Sequence, residues 1–234
     1  MKKISILLVL LLAFSCGKKE HDLTVMGTVK GLKKGTIFLQ RVSDTALVAL
    51  DSVSILGDSR FELHSELSTP EMYYLYLDKN DNSENQLSFF ADKGITEVNT
   101  TLKNFVADAK INGSKQQEVL TEYNKMIKQF NDKSLDLIKA NFEAQKAQNK
   151  ILADSLQVVM DRYNNSRFKY ALNFTMNHLD SEVTPYIVLS DMYNANIKAL
   201  DTIYNNLDDK VLKSKYGLDL KKFIEDVKLK ETTE

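Results

Sequence analysis

Ile111-Asn112-Gly113-Ser114-Lys115-Gln116-Gln117 divides the chain into two periodicities. Before it, apolar residues recur at every second position, as in strands with one buried face. After it they recur every three to four positions, as along one side of a helix. Ser114 with Gln117 three residues later has the spacing of a capping box. The hydroxyl meets one free backbone N–H of the first helical turn, and the amide is expected to reach back to another. Behind it Val119, Tyr123, Met126 or Ile127, and Phe130 fall on one apolar stripe.

Working back from this junction, residues 23–29, 36–40, 46–55, 60–64, 72–77, 87–91, 95–102 and 106–111 read as about eight short strands. Gly31, Gly35, Gly57 and Pro70 punctuate them. Strands at this spacing, with turn residues between, predict a sandwich or barrel. Working forward, a second and longer helix is expected. Ile138, Phe142, Leu152, Leu156, Val159 and Tyr163 share its face, and its stretch 139–150 is polar and solvated. The pattern extends through Phe168, Ala171, Phe174 and Leu179. Thr184-Pro185 marks a helix start, and short helices fit 199–207, 209–215 and 218–228, with Gly217 as a C-cap. The predicted fold class is α+β, an N-terminal antiparallel β-sandwich (23–112) followed by a C-terminal helical domain (113–230) with one long helix. Residues 231–234 are expected to fray.

The extreme N-terminus has another character. Lys2 and Lys3 precede an apolar run over residues 6–14, and Ser15 and Cys16 follow. A charged segment, a short apolar segment and a small residue before a cleavage point make a secretory signal. The run is about half the roughly 20 residues that a spanning helix needs. Ala13, Phe14, Ser15 and Cys16, with Leu12 one place further out, resemble the lipobox of bacterial lipoproteins, in which the cysteine is acylated. The expected organisation is a signal peptide over 1–15, lipidation (palmitate among the acyl groups) at Cys16 and a polar tether over 16–22. Diacylation with a further amide-linked chain anchors a protein stably without spanning the bilayer. The expected location is the cell envelope, at the outer membrane facing the periplasm.

Composition narrows the function. Of 31 basic residues, 29 remain once Lys2 and Lys3 are removed, against 32 acidic ones. That balance gives no basic face for nucleic acid. Two prolines and eight glycines in 234 residues favour long regular elements. Cys16 is the sole cysteine, so the sequence offers no intramolecular disulfide, no CxxC pair and no zinc-thiolate site.

Several residues together resemble a known family. They are residues 27–39 (Gly-Thr-Val-Lys-Gly-Leu-Lys-Lys-Gly-Thr-Ile-Phe-Leu), Leu50-Asp51-Ser52-Val53, Phe61 after the Gly57 turn, Pro70-Glu71-Met72-Tyr73 and the Asn112-Gly113-Ser114 junction. This stretch is similar to the β-rich domain of unknown function DUF4369, found at the front of thioredoxin-like lipoproteins of the Bacteroidetes. In that family the segment resembling Tyr216-Gly217 and the last helix leads into a thioredoxin fold with a CxxC motif. The sequence here ends instead, so the resemblance carries no redox role over to these residues.

No catalytic constellation or cofactor motif stands out. His21, His64 and His178 lack a partner at metal-ligand spacing, so no metal and no cofactor is expected. Asp51-Ser52 has no histidine partner and no nucleophile elbow. Asp78, Asn80 and Asn82 alternate like a calcium loop, but Ser83 and Phe89 stand where its glycine and bidentate glutamate belong. Asp44-Thr45-Ala46, Asp51-Ser52-Val53, Asp154-Ser155-Leu156 and Asp201-Thr202-Ile203 resemble bacterial O-glycosylation acceptors. Alternation puts Tyr74 and Tyr76 on one strand face, opposite Tyr73, Leu75 and Leu77. These two tyrosines are the candidate ligand or partner surface, each an apolar body with a polar tip; the other reading packs them beneath the helices. The expected function is a membrane-anchored, non-catalytic binding or scaffolding module with a periplasmic protein partner. The alternative is an accessory subunit supporting a thioredoxin-like or peroxide-reducing partner in trans.

Overall fold

The computed structural model describes residues 21–43, 46–79 and 85–231. The signal segment, Cys16, Asp44, Thr45, Asn80, Asn82 and Ser83 lie outside them. Among the described residues the strands are β1 (Leu23–Lys30), β2 (Lys34–Ser43), β3 (Ala46–Leu56), β4 (Arg60–Ser65), β5 (Glu71–Asp78), β6 (Gln86–Ala91), β7 (Gly94–Thr101) and β8 (Lys110–Asn112). They form two four-stranded sheets, ordered β4-β1-β7-β8 and β3-β2-β5-β6. All pairings are antiparallel except β1 with β7, which is parallel, Leu23 opposite Gly94.

The alternation read from the sequence fills the space between the sheets. Leu23, Val25 and Val29 of β1, Ile37 and Leu39 of β2, Tyr73, Leu75 and Leu77 of β5 and Val98 of β7 are all fully buried there. One local rule changes along β3. A bulge opposite Leu39 and Gln40 shifts the register, so Leu50 and Val53, of opposite parity, both pack on the same core. The last predicted strand shortens to β8 because residues 103–108 turn. Asn104 N donates to Thr101 Oγ1, Asp108 N donates to the Asn104 carbonyl, and Thr100 Oγ1 donates to the Phe105 carbonyl. Side chains that bond nearby backbone draw a segment out of the ladder, and here they turn Phe105 into the core.

The helices are α1 (Lys115–Lys146), α2 (Lys150–Asn177), α3 (Val183–Asp191), α4 (Ile197–Asn206), α5 (Asp209–Leu212) and α6 (Lys215–Glu231). A second long helix is present, but the break before it falls at residues 147–149, so Ile138 and Phe142 lie on α1 and α2 is the shorter of the two, 28 residues against 32. Gln148 takes φ 54°, and Asn149 caps α2 by accepting from Leu152 N at 3.1 Å. The stripe on α1 continues unbroken through Leu137 and Ala144, both buried against α2. The two long helices thus form an antiparallel hairpin. Gly217 also departs from expectation. It lies in the first turn of α6, where a Cβ would sit 2.0 Å from the Val211 carbonyl oxygen. Its missing side chain lets α5 and α6 meet closely, and Ser214 Oγ caps the turn by accepting from Gly217 N at 3.2 Å.

A second hydrophobic cluster joins the helices to the sandwich. Met72 of β5 and Phe90 of β6 point away from the first core and pack with Leu120, Tyr123, Ile187, Val188, Ile203 and Leu220. Glu71, buried, receives Arg41 of β2 at 3.1 Å and Lys215 of α6. Tyr216 OH accepts from Met72 N at 3.2 Å. No described helix is long and apolar enough to cross a membrane.

Candidate functional site

The junction that decides the fold also floors a cleft between sandwich and helices. Gly113 has φ 93°, and a Cβ there would meet the Ile95 carbonyl oxygen at 2.2 Å. Only glycine turns the chain this tightly against β7. Ser114 then caps α1, accepting from Gln117 N at 3.0 Å. The reciprocal half of the capping box is absent: the Gln117 amide oxygen accepts from Phe90 N at 2.7 Å, and its NH2 donates to Thr121 Oγ1. Gln117 therefore ties the helix to the sheet instead of closing its own turn.

Asp92, between β6 and β7, supplies the negative charge at this helix start. Its Oδ2 accepts from Ser114 Oγ at 3.1 Å and Gln116 N at 3.0 Å, where free N–H groups and the helix dipole favour an anion. From there a polar chain crosses to the helical half. Ser181 Oγ donates to Gln116 Oε1 at 2.5 Å, and Gln116 Nε2 donates to Glu182 Oε2 at 2.6 Å. Lys210 pairs with Glu182 Oε1 at 2.9 Å. Glu182 is 1% exposed, and a carboxylate so buried requires such partners. The bond to Glu182 holds the Lys210 ammonium above its usual range, and the charges of Asp92 and Asp180 act the same way.

Around this network opens a cleft of about 640 Å³ between sandwich and helices. Thr69 and Pro70 come from the β4–β5 loop, Asp92 and Lys93 from the β6–β7 turn, Lys115 and Gln116 from α1, Glu182 from the start of α3, and Lys210 and Lys213 from α5 and the residue after it. These residues are scattered over more than a hundred positions in no motif, so sequence reasoning missed them. Ser114 was the one legible pointer to the place.

The structure separates the two predicted tyrosines. Tyr74, half-buried, lies near Tyr186 and Tyr216, whose phenols burial pushes up and the neighbouring Tyr74 raises further. Tyr76, also half-buried, leans on Phe38 with ring centres 6.1 Å apart. Neither lines the cleft.

The other candidates have local roles. Asp51 Oδ2 accepts from His64 N at 2.8 Å, bridging the two sheets. His21 stacks on His64 at 4.6 Å, and His178 stacks on Phe174 at 4.1 Å. Ser155 and Thr202 donate to the carbonyls of Ile151 and Lys198. A second polar cluster joins Tyr123 and Arg167 to Asp191 at 2.7 and 3.2 Å. Among the described residues no group of three or more His, Cys, Asp or Glu is placed to hold a metal.

The molecule is of the α+β class, two β-sheets followed by helices, with a cleft at their junction. Residues 23–120 match the domain of unknown function DUF4369; that span takes in all eight strands, the capped start of α1 and three sides of the cleft. No curated protein matches the chain.

Proposed function

We propose that this chain is a lipid-anchored cell-envelope protein, acylated at Cys16 and held at the outer membrane facing the periplasm. There it acts as a non-catalytic binding or scaffolding module. The observation that carries the binding role is the junction cleft. Its two carboxylates are already committed, Glu182 to Gln116 and Lys210, Asp92 to the start of α1. Such an arrangement fixes a shape and a charge and leaves no paired acid and base free to work on a substrate. The anchor rests on the sequence from Lys2 to Cys16 and on the resemblance to envelope lipoproteins.

Mass spectrometry of the N-terminal peptide tests the anchor; the expected product is a diacylglyceryl-modified, N-acylated Cys16. Cys16→Ser is expected to move the protein out of the membrane fraction. An unmodified Cys16 in a membrane-free protein would refute the location. Crosslinking in intact cells tests the module. Recovery of a thioredoxin-fold or peroxide-reducing protein would favour the accessory-subunit reading. That reading is motivated by the redox domain that follows the similar segment in the resembling family.

A further inference from the structure

The start of the described chain and the cleft share a wall. Asp22 Oδ1 accepts from Lys93 Nζ at 2.9 Å, its Oδ2 accepts from Leu67 N at 3.2 Å, and its carbonyl accepts from Gly94 N at 2.8 Å. Lys93 lines the cleft, and so do Ser68, Thr69 and Pro70, which follow Leu67. A chain extends at most 3.3–3.6 Å per residue, so the six steps from Cys16 to Asp22 reach no further than about 20 Å. On the lipid-anchor reading, that length keeps the cleft wall close to the head groups of the bilayer.

The charge of the cleft suits that surface. Its lining carries Lys93, Lys115, Lys210 and Lys213 against Asp92 and Glu182. Asp22 holds Lys93, and Glu182 holds Lys210. Lys115 and Lys213 are exposed and make no ion pair with the described residues. Asp92 is the one carboxylate of the lining outside the Glu182–Lys210 pair, and its Oδ2 accepts from Ser114 Oγ and Gln116 N. The lining thus carries four ammonium groups against two carboxylates, and two of the four, Lys115 and Lys213, are held by no ion pair among the described residues. Ammonium is a compact point charge that accepts phosphate from many directions.

We propose that the junction cleft receives the phosphate-bearing head group of an anionic lipid from the membrane in which the chain is anchored, Lys115 and Lys213 meeting the phosphate. The proposal rests on the lipid-anchor reading for its source of ligand. Its chemistry is shared with free phosphate, and the test separates the two. Bound in this way, the protein stands at the bilayer in one orientation, cleft side down and α1–α2 hairpin free.

The experiment uses the full protein purified from membranes and reconstituted into vesicles. One set contains about one-third phosphatidylglycerol in phosphatidylcholine, the other phosphatidylcholine alone. Lysines are acetylated briefly and quantified by mass spectrometry, with Lys139 on the hairpin as internal standard. Lys115 and Lys213 are expected to react at least fivefold more slowly in the anionic vesicles, with Lys139 unchanged. Inorganic phosphate added to the neutral vesicles is expected to give no such protection. Lys115→Glu with Lys213→Glu is expected to abolish the contrast, read at Lys210, while Lys133→Glu with Lys146→Glu, the same charge change on the hairpin, keeps it. Equal reactivity in both vesicles overturns the proposal, and protection by phosphate alone overturns its lipid source. The same spectra report Cys16. Acylated Cys16 with unprotected lysines overturns the cleft proposal alone, whereas protected lysines with unmodified Cys16 support the cleft and refute the anchor.

Discussion

The sandwich core and the helical cluster bury similar residues under different rules. Outside the bulge of β3, the first takes alternate residues from its strands, so parity decides membership: Tyr73, Leu75 and Leu77 are in, Met72, Tyr74 and Tyr76 are out. The second is assembled from short contributions of six helices and is completed by two residues the sheet rejects, Met72 and Phe90. The difference teaches where the molecule is self-sufficient. The sandwich fills its interior with its own side chains. The helical half buries its apolar faces only by using the outer face of the sheet. The cleft lies on that dependent boundary.

Phe90→Ala tests the dependence most severely. Phe90 touches Tyr186 at 5.8 Å and Tyr216 at 5.7 Å between ring centres and is fully buried. Truncating a buried phenylalanine costs about 3–5 kcal/mol. The expected result in urea is a helical transition, followed at 222 nm, that moves to lower denaturant than the transition of the sheet amides followed by hydrogen exchange. If both shift together, the two clusters unfold as one unit. Glu71→Ala removes the carboxylate that Arg41 and Lys215 share across the boundary. Hydrogen bonds to charged groups are worth about 1.5–3 kcal/mol, and the loss is expected in the same helical transition.

The comparison also explains what was legible in the sequence. Alternation is a short-range signal, so eight strands and their inward residues could be read from neighbours two positions apart. The failures occur where a longer-range contact or a side chain overrides it. The bulge at Leu50 reverses parity, and the bonds of Asn104 and Asp108 replace a strand with a turn. On α1 the apolar stripe continues through Ile138 and Phe142, which the sequence pattern assigns to the second helix, and the break falls at Asn149, the residue with capping chemistry. Of the cleft, only Ser114 at its floor was legible. Glu182 looks like any surface glutamate in the sequence; it is buried because Gln116, 66 positions earlier, and Lys210 arrive from separate elements. For Tyr74 and Tyr76 the alternation was right about the shared face, yet half of that face is roofed by helices the pattern could not dock.

Alkali gives a graded version of the same contrast. Burial, the largest cause, raises the phenols of Tyr123, Tyr186 and Tyr216 in the helical cluster, and that of Tyr73 in the sandwich. A phenol raised in the folded state is neutral there while its unfolded counterpart ionises near pH 10. Its contribution is intact below pH 10 and is lost as pH rises toward the folded value, at up to about 1.4 kcal/mol per unit for each phenol. The helical transition is expected to weaken faster above pH 10 than the sheet transition. Tyrosinate absorbance at 295 nm should rise together with helix loss. Ser114→Ala has a smaller effect, about 1 kcal/mol for a lost cap. It also frees Asp92 from one of its donors, so the acetylation rate of Lys115 should fall as the freed carboxylate attracts it.

The smallest effect is expected farthest from the sheet. Leu135, Ile138 and Phe142 recur along one stripe of α1, and their counterparts nearer the sheet, Leu120 and Ile127, are buried. The periodicity alone would rank Phe142 with the core. The structure leaves it 63% exposed, beyond the reach of both clusters, whereas Leu137 and Ala144 in this part of α1 are buried. Surface substitutions away from caps and networks stay within about 0.5 kcal/mol. Phe142→Ala should therefore leave the urea midpoint unchanged within that margin, while Leu137→Ala, one turn away and buried, should lower it by about 2–5 kcal/mol. If the two variants cost the same, the hairpin tip is covered by something in solution, and the boundary at the sheet is not the only place where these helices depend on another surface.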